Sequence, residues 1–470
     1  MRRLSAATVL ATSLVLLAGL LGALSPTATA ADTPTSATSS ATSSATSSAA
    51  PAAARVLGKP KPAPLSYTPT TGVRVNNPLG DRAARRRIIG HLIRTIQSVP
   101  GREKIRIASW NVRSDDIVDA LIAAHRRGVS VRVVMDRLNA NKDNVNDGVN
   151  RMQAAFKTRE YNRSADMKSD VRKCVSSCRN RGGIAHTKFF LFSKAGKARD
   201  VVIYGSNNAT DLAAHGQWND VYTITGKTNI YGEFEHVFDQ MRRDRPVNQA
   251  YESHEHGKYT SYFYPYRGKG TEADPLLRDL NDIVCAGATG GTGTNGMTKI
   301  RIAQTSMHGE RGKAIAERLR TMWQRGCDIK IVYAVFGNNV LQILRNTSRG
   351  PVPMRHIAQD FNLDGVYDRY LHMKYMAVSG RYKGATDVEV TWNGSANWTS
   401  VALASDEIVM RIFDAGVRRT YADWVDHLYA NPPRYSSNPR VQERMSAQAG
   451  LARRSLVARG GNPYAGIQVN

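Results

Sequence analysis

Two groups of polar residues have types and spacing suited to chemistry: His186-Thr187-Lys188 followed by Gly205-Ser206-Asn207-Asn208, and His372-Met373-Lys374 followed by Gly394-Ser395-Ala396-Asn397. Side chains alternate between faces on an extended segment, so a His and a Lys two positions apart point the same way. Each pair sets an imidazole, able to act as nucleophile or proton carrier, beside a fixed cation. The Ser and Asn follow about twenty residues later, a separation that suits a second strand of a hairpin and brings all four side chains to one end of a sheet. Two such half-sites facing each other make one pocket.

The chemistry open to that pocket is phosphoryl transfer. An imidazole attacks phosphorus directly and forms a phosphoramidate, dividing one difficult displacement into two easier ones. The second imidazole protonates the departing oxygen and then deprotonates the incoming water or alcohol. Lys188, Lys374, Asn208 and Asn397 hold the non-bridging oxygens against the charge of the five-coordinate transition state. No cofactor is expected, and no Asp, Glu and His cluster with metal-ligand spacing accompanies either motif.

The elements that position these residues repeat as well. Lys104-Ile105-Arg106-Ile107-Ala108 matches Lys299-Ile300-Arg301-Ile302-Ala303, each a short alternating run of strand character. A helical stretch follows each, Asp115 to Arg127 and Arg311 to Arg325, ended by Gly128 and Gly326. Strands Val129 to Met135 and Asp328 to Ala334 come next, completing βαβ units with parallel pairing. The continuously apolar strands Phe189 to Phe192 and Val201 to Tyr204 fit a sheet covered on both faces. The fold class is therefore α/β, with two similar domains, each a mainly β-sheet core flanked by helices, joined as a pseudo-twofold pair. The expected boundaries are 71–270 for the first domain and 271–432 for the second; 433–470, Arg-rich and Gly-ended, reads as a weakly ordered appendage. The Tyr-rich stretch His254 to Arg267 fits either half.

With these residues in view, the chain resembles the phospholipase D superfamily, whose signature is HxK followed by GSxN, present twice. The resemblance covers nearly all of the chain after residue 70. It implies that His186 and His372 are the catalytic pair, the N-terminal one the nucleophile. The family pattern usually continues HxKxxxxD, but here Ser193 and Ser379 occupy the Asp position. The tyrosyl-DNA phosphodiesterases also lack that Asp and are active. Two further acids, Asp220 and Glu407, follow the GSxN motifs at the start of similar strands, Val221 to Ile224 and Ile408 to Ile412. They are expected to accept a hydrogen bond from the far nitrogen of each catalytic His and fix its tautomer, while Ser206 and Ser395 support the site. His215, His254, His256 and His308 are weaker candidates for lining the pocket. Trp392 and Trp398 flank the second GSxN, placed for a base or an acyl chain or for core packing.

Composition gives the address. Arg2 and Arg3, an apolar run from Ala6 to Leu24 and Ala28-Thr29-Ala30 form an export signal over 1–30. Thr8, Thr12 and Ser13 dilute the run, which favours removal over membrane anchoring. A spacer over 31–70 is rich in Ser, Thr, Ala and Pro and carries too little apolar surface to fold. An extracellular location suits two disulfides among Cys174, Cys178, Cys285 and Cys327, with 174–178 and 285–327 the natural pairs by proximity; the sequence leaves the choice among three pairings open.

The net charge is +26, two lower once Arg2 and Arg3 leave. That excess favours polyanionic partners, whether nucleic acid or anionic lipid surfaces. Two complete half-sites in one chain need no dimer to build the pocket. Three functions stand open: a secreted phospholipase D acting on phosphatidylcholine-like lipids, with transfer of the phosphatidyl group to another alcohol as a variant; a secreted nuclease, which would weaken steeply with salt; and an inactive envelope- or nucleic-acid-binding module.

Overall fold

The computed structural model describes residues 66–158, 160, 163–268 and 273–459, and all of them fall in one compact unit. The expected signal and most of the spacer lie outside the described residues. No described helix is long and apolar enough to cross a membrane.

Each half is built on a βαβ unit. In the first, Lys104–Ser109 pairs in parallel with Ser130–Asp136, and the helix between them, Asp115–Arg126, has Asp115 and Asp116 in its first turn and His125 and Arg126 in its last. Asp115 and Asp116 at one end and Arg126 at the other oppose the helix dipole. Gly128, at φ +96°, turns the chain out of the helix into the next strand. In the second half Lys299–Met307 and Asp328–Phe336 pair the same way around the helix Gly309–Gln324, with Gly326 at φ +98°. The repeated Arg has a shared task. Arg106 is buried and donates to Ser130 O at 3.0 Å, and the equally buried Arg301 donates to Asp328 O at 2.9 Å.

The first sheet has seven strands in the order Gly72–Val75, Asp220–Ile224, Ala198–Gly205, Phe189–Ala195, Lys104–Ser109, Ser130–Asp136, Asp170–Cys174. The strands carrying the second motif, Lys374–Tyr382 and Ala385–Gly394, lie at the centre of a nine-stranded sheet. The apolar run Phe189 to Phe192 is explained by two cores: Phe189 and Leu191 enter a central core shared by both halves, while Phe190 and Phe192 enter an outer core under the helices Arg87–Gln97 and Asp115–Arg126. The central core takes in Phe234 and Phe238 from the helix Thr228–Arg242, and Tyr421 and Val425 from Ala415–Ala430. A small sheet joins the halves, where Gln217–Trp218 pairs in parallel with Arg369–Leu371.

Two expectations are corrected. The Tyr-rich stretch forms a hairpin, Glu252–His256 with Tyr259–Phe263, whose second strand pairs with Ile408–Phe413. It extends the second sheet, so the join lies between Asp244 and Glu252 rather than at 270. The tail, expected to be a weakly ordered appendage, carries a helix, Pro439–Ala458, capped by the Asn438 side chain. Its Ala, Arg, Leu and Gln are strong helix formers.

Both disulfides are present, Cys174–Cys178 and Cys285–Cys327. Loop-closure entropy scales with the length of chain enclosed. Removing the Cys285–Cys327 bridge, with partners 42 apart, should cost about 4 kcal/mol, against about 2 kcal/mol for Cys174–Cys178. Urea unfolding of the two double Cys→Ser variants checks the order.

Candidate active site

The two HxK segments meet where the sheets face each other, and each is held by the opposite half. His186 N donates to Asp406 O at 3.2 Å, and Ala185 bridges Asp406; His372 N donates to Trp218 O at 2.9 Å. The rings follow the same crossed pattern. His186 Nδ1 pairs with Glu407 Oε1 at 2.7 Å, and His372 Nδ1 donates to Asn219 Oδ1 at 2.7 Å. His186, Lys188, Asn208, His372, Lys374 and Asn397 are all buried, none more than 3% exposed.

The GSxN serines hold those acceptors. Ser206 Oγ donates to Asn219 Oδ1 at 3.0 Å and accepts from Asp220 N at 3.0 Å; Ser395 Oγ donates to Glu407 and accepts from Ile408 N at 3.0 Å. These matched bonds make Asn219 the counterpart of Glu407, and Asp220 the counterpart of Ile408. The expectation for Asp220 is therefore corrected. Its carboxylate accepts from Tyr421 OH at 2.9 Å and Asn393 Nδ2 at 3.4 Å, and burial raises its pKa. Asn219 escapes a sequence comparison because it follows Gly205 by fourteen positions, whereas Glu407 follows Gly394 by thirteen. Its amide is oriented by donation to Ala213 O at 3.1 Å and Gln217 Oε1 at 3.3 Å, which turns the oxygen to His372.

Further carboxylates surround the first histidine. Asp136, fully buried at the end of its strand, accepts from Ala185 N at 2.9 Å and Leu138 N at 2.8 Å. Asp406 accepts from Cys178 N at 2.5 Å, which ties the Cys174–Cys178 loop to the segment beside His186. Burial pushes the Asp406 carboxyl up to about 7. By strand register the counterpart of Asp136 is Ala334, and by the crossed main-chain bonds the counterpart of Asp406 is Trp218. So Asp136, Asp406 and Glu407 around His186 are matched by Ala334, Trp218 and Asn219 around His372. The site is symmetric in backbone and polarised in charge.

Both lysine ammoniums donate back to the carbonyl of the preceding His, Lys374 to His372 O at 2.6 Å and Lys188 to His186 O. Burial lowers Lys188 to about 7 against the opposing pull of Glu407 and Asp136. Burial also holds Lys374 well below its usual range, the nearby Lys188 adding to it and Glu407 and Asp220 opposing. His186 is lowered by burial and then by both lysines, so its ring is neutral at pH 7. Trp110, partly exposed, sets its ring edge-on to His186 at 6.2 Å between centroids, and Tyr370 does the same for His372 at 6.0 Å.

Ser193 and Ser379 stand in place of the usual motif Asp, five residues beyond each Lys. Each accepts a backbone N–H from a neighbouring segment, from Lys104 at 2.8 Å and from Gly293 at 2.9 Å. A hydroxyl meets that structural need as a carboxylate would. The other histidines lie elsewhere: His215 is exposed, His254 and His256 face Glu233 on the edge hairpin, and half-buried His308 precedes the helix Gly309–Gln324. Trp392 and Trp398 pack in the outer core of the second half, the Trp392 indole donating to Asp279 at 2.8 Å. Among the described residues no group of three or more His, Cys, Asp and Glu is placed to ligate a metal ion.

Comparison with known proteins gives the family. No curated protein sequence matches the chain significantly. Among solved structures, the chain is similar to polyphosphate kinase from Porphyromonas gingivalis, with TM-score 0.47 and 13% identity over 83% of this chain and 55% of that one, so it spans about half the length of that relative. Phosphatidylserine synthase of Haemophilus influenzae Rd KW20 gives 0.48 and 13% over 82% and 94%. Nuc of Salmonella typhimurium, a phospholipase D family member, gives 0.27 and 22% over 37% and 94%. The family model described as "Cardiolipin synthase, PLD-like domain" matches residues 92–242 and 294–429, more than half of the chain and one HxK…GSxN set in each segment. The chain belongs to the phospholipase D superfamily, as a two-repeat member of its PLD-like, cardiolipin synthase domain family.

Proposed function

We propose that the protein is an exported phosphodiesterase of phospholipase D type, hydrolysing phosphatidylcholine-like lipids to phosphatidic acid and a free alcohol through a covalent phosphohistidine. One observation carries the mechanism: His186 is oriented by a carboxylate, His372 by an amide. With its Nδ1 proton directed at Glu407, neutral His186 presents the Nε2 electron pair to phosphorus. As the N–P bond forms, positive charge grows on the ring, and Glu407 stabilises it. The P–O bond to the leaving alcohol breaks on the far side, and His372 supplies its Nε2 proton to that oxygen. An amide orients an imidazolium without neutralising it, so that proton is given up more readily than one held by a carboxylate pair. Water then loses a proton to His372 and attacks phosphorus, the N–P bond breaks, and His186 returns to its starting state. Lys188, Lys374, Asn208 and Asn397 hold the non-bridging oxygens throughout.

Export rests on the N-terminal signal pattern, and two disulfides are compatible with it. The net charge of +26 favours a second reading, a nuclease that gains affinity from backbone phosphates. The two readings separate in one experiment with chelator present: choline release from phosphatidylcholine vesicles beside cleavage of single-stranded DNA, with His186→Ala as control. Choline release lost in the variant supports the lipase. DNA cleavage alone supports the nuclease, and salt-sensitive binding with no turnover of either supports a binding module.

Three outcomes follow from the assigned roles. His372→Ala should lose at least 10²-fold in steady turnover and accumulate a phosphoryl adduct on His186, visible by mass spectrometry; an adduct on His372 in His186→Ala reverses the roles. Glu407→Gln should lower kcat by about 10²-fold or more with little change in KM, because substrate contacts stay in place. For a phosphodiester that is a monoanion across the range, KM should rise as the pH passes through about 7, since the unliganded Lys188 loses its proton there. A KM independent of pH from 6 to 9 excludes Lys188 as the anion-binding cation.

A further inference from the structure

Large apolar side chains left in water are unevenly placed on this molecule. Among the described residues eleven Leu, Val and Phe side chains are the large apolar groups most open to solvent, and seven of them lie at the end that carries the site. Strand register identifies that end. Ala108 pairs with both Phe189 and Val134, Asp136 with Cys174, Phe189 with Tyr204, Gly205 with Val221 and Asp220 with Val75. The chain therefore leaves Val75, Asp136 and Cys174 at the end where the first HxK and GSxN stand. Leu79 follows Val75 by four residues, Leu138 follows Asp136 by two, Val175 follows Cys174 directly and Leu212 follows Asn208 by four. Val145 is held to the same loops by its carbonyl, which accepts from Arg113 at 3.0 Å. In the second half Val401 follows Asn397 by four. Gln304 pairs with Lys374 and with Tyr333, and Tyr333 with His356, so Phe361, five residues beyond His356, leaves its sheet at the site end too. All seven are between 39% and 59% exposed. By contrast Val284 pairs with Arg381 at the far end of the strand that begins with Lys374, and the remaining three are on the helix Pro439–Ala458.

The groups beneath this rim, His186, Lys188, His372 and Lys374, are no more than 3% exposed, so a substrate reaches them by passing these loops. Exposed cations stand among the apolar side chains: Arg137 precedes Leu138, Lys173 lies two residues before Val175, and Lys142 is three before Val145. That mixture selects the partner. The core of a protein interface is depleted of charge, and a second copy seated here would cover the mouth of the site. A nucleic-acid strand uses the cations and stacks bases on aromatic rings, but six of the seven rim side chains are aliphatic and would stay in water. A bilayer uses both kinds of group, since cations meet anionic head groups while aliphatic side chains enter the acyl boundary.

We propose that this end of the molecule docks on an anionic phospholipid bilayer, with Leu138, Val175, Leu212, Phe361 and Val401 inserting around the mouth of the site and Arg137, Lys142 and Lys173 meeting lipid phosphates. The inference rests on the lipid reading under Proposed function and gives a membrane-held substrate its route to the buried histidines. The test sediments the full-length mature protein with sucrose-loaded vesicles of equal parts phosphatidylcholine and phosphatidylglycerol, in a His186→Ala background so that the vesicles stay intact. Combining Leu138→Ser, Val175→Ser and Val401→Ser should lower the vesicle partition coefficient at least tenfold, because three aliphatic side chains no longer enter the bilayer. Val284→Ser, exposed at the opposite end, should bind as its parent does. Added salt should weaken the parent's binding without abolishing it, since apolar insertion is not screened. A parent that does not sediment with vesicles, a triple variant that binds as tightly as the parent, or a triple variant that loses single-stranded DNA binding while keeping vesicle binding overturns the docking face. Binding separates from turnover. The expected vesicle pattern without choline release by the protein with His186 intact keeps the face and brings down the hydrolase reading, whereas choline release from monomeric short-chain phosphatidylcholine without vesicle binding does the reverse.

Discussion

The site depends on an exchange between halves: each motif histidine takes its ring partner, and its main-chain acceptor, from the domain that does not carry it. His186 is fixed by Glu407 and Asp406, His372 by Asn219 and Trp218. Neither half alone could present a correctly tautomerised imidazole. This gives the shared central core its functional weight, since Tyr204, Phe234, Tyr375 and Tyr421 pack the two sheets together at the distance the crossed bonds require. Loosening that core would disturb the crossed bonds, and catalytic geometry tolerates little displacement.

Repetition of the fold supplies two equivalent imidazoles, and substitution at a few counterpart positions makes them unequal. Glu407 against Asn219 is the decisive pair, because a carboxylate stabilises a ring that becomes positively charged whereas an amide only aims it. Asp136 against Ala334 and Asp406 against Trp218 place further carboxylates on the His186 side, while each lysine has its own acid nearby, Asp136 for Lys188 and Asp220 for Lys374. The polarity therefore comes from three positions outside the motifs, none of which alters the backbone path. The same logic accounts for Ser193 and Ser379. That motif position accepts a backbone N–H from a neighbouring segment, remote in role from the phosphoryl group, and a hydroxyl suffices.

Much of this was legible in the sequence where the constraint is local. Strand periodicity placed His186 with Lys188 and His372 with Lys374, and the Gly-terminated helices gave both βαβ units, whose parallel pairing is present. What was not legible depends on nonlocal alignment. Asn219 is hidden because the loop is one residue longer than in the second half and because the neighbouring acid, Asp220, draws the match to Glu407, although its main chain occupies the place of Ile408. The hairpin Glu252–His256 and Tyr259–Phe263 follows the first half in sequence yet completes the second sheet, because Ile408–Phe413 offers it an edge. The helix Pro439–Ala458 has no fully buried residue; its half-buried face, Met445, Ala449, Ala452 and Leu456, is narrow, and its Arg-rich composition reads as weak order instead.

The distribution of charge separates chemistry from attraction. Inside the site the cations are few and offset: Lys188 sits near Glu407 and Asp136, His186 is neutral, and Arg311 is spent on Asp274. A phosphodiester anion beside these lysines would favour their protonated forms. The net charge of +26 thus belongs mainly to the surface, where it acts over roughly a Debye length of about 8–10 Å in physiological salt. It can raise the rate of encounter with any anionic surface, lipid or nucleic acid.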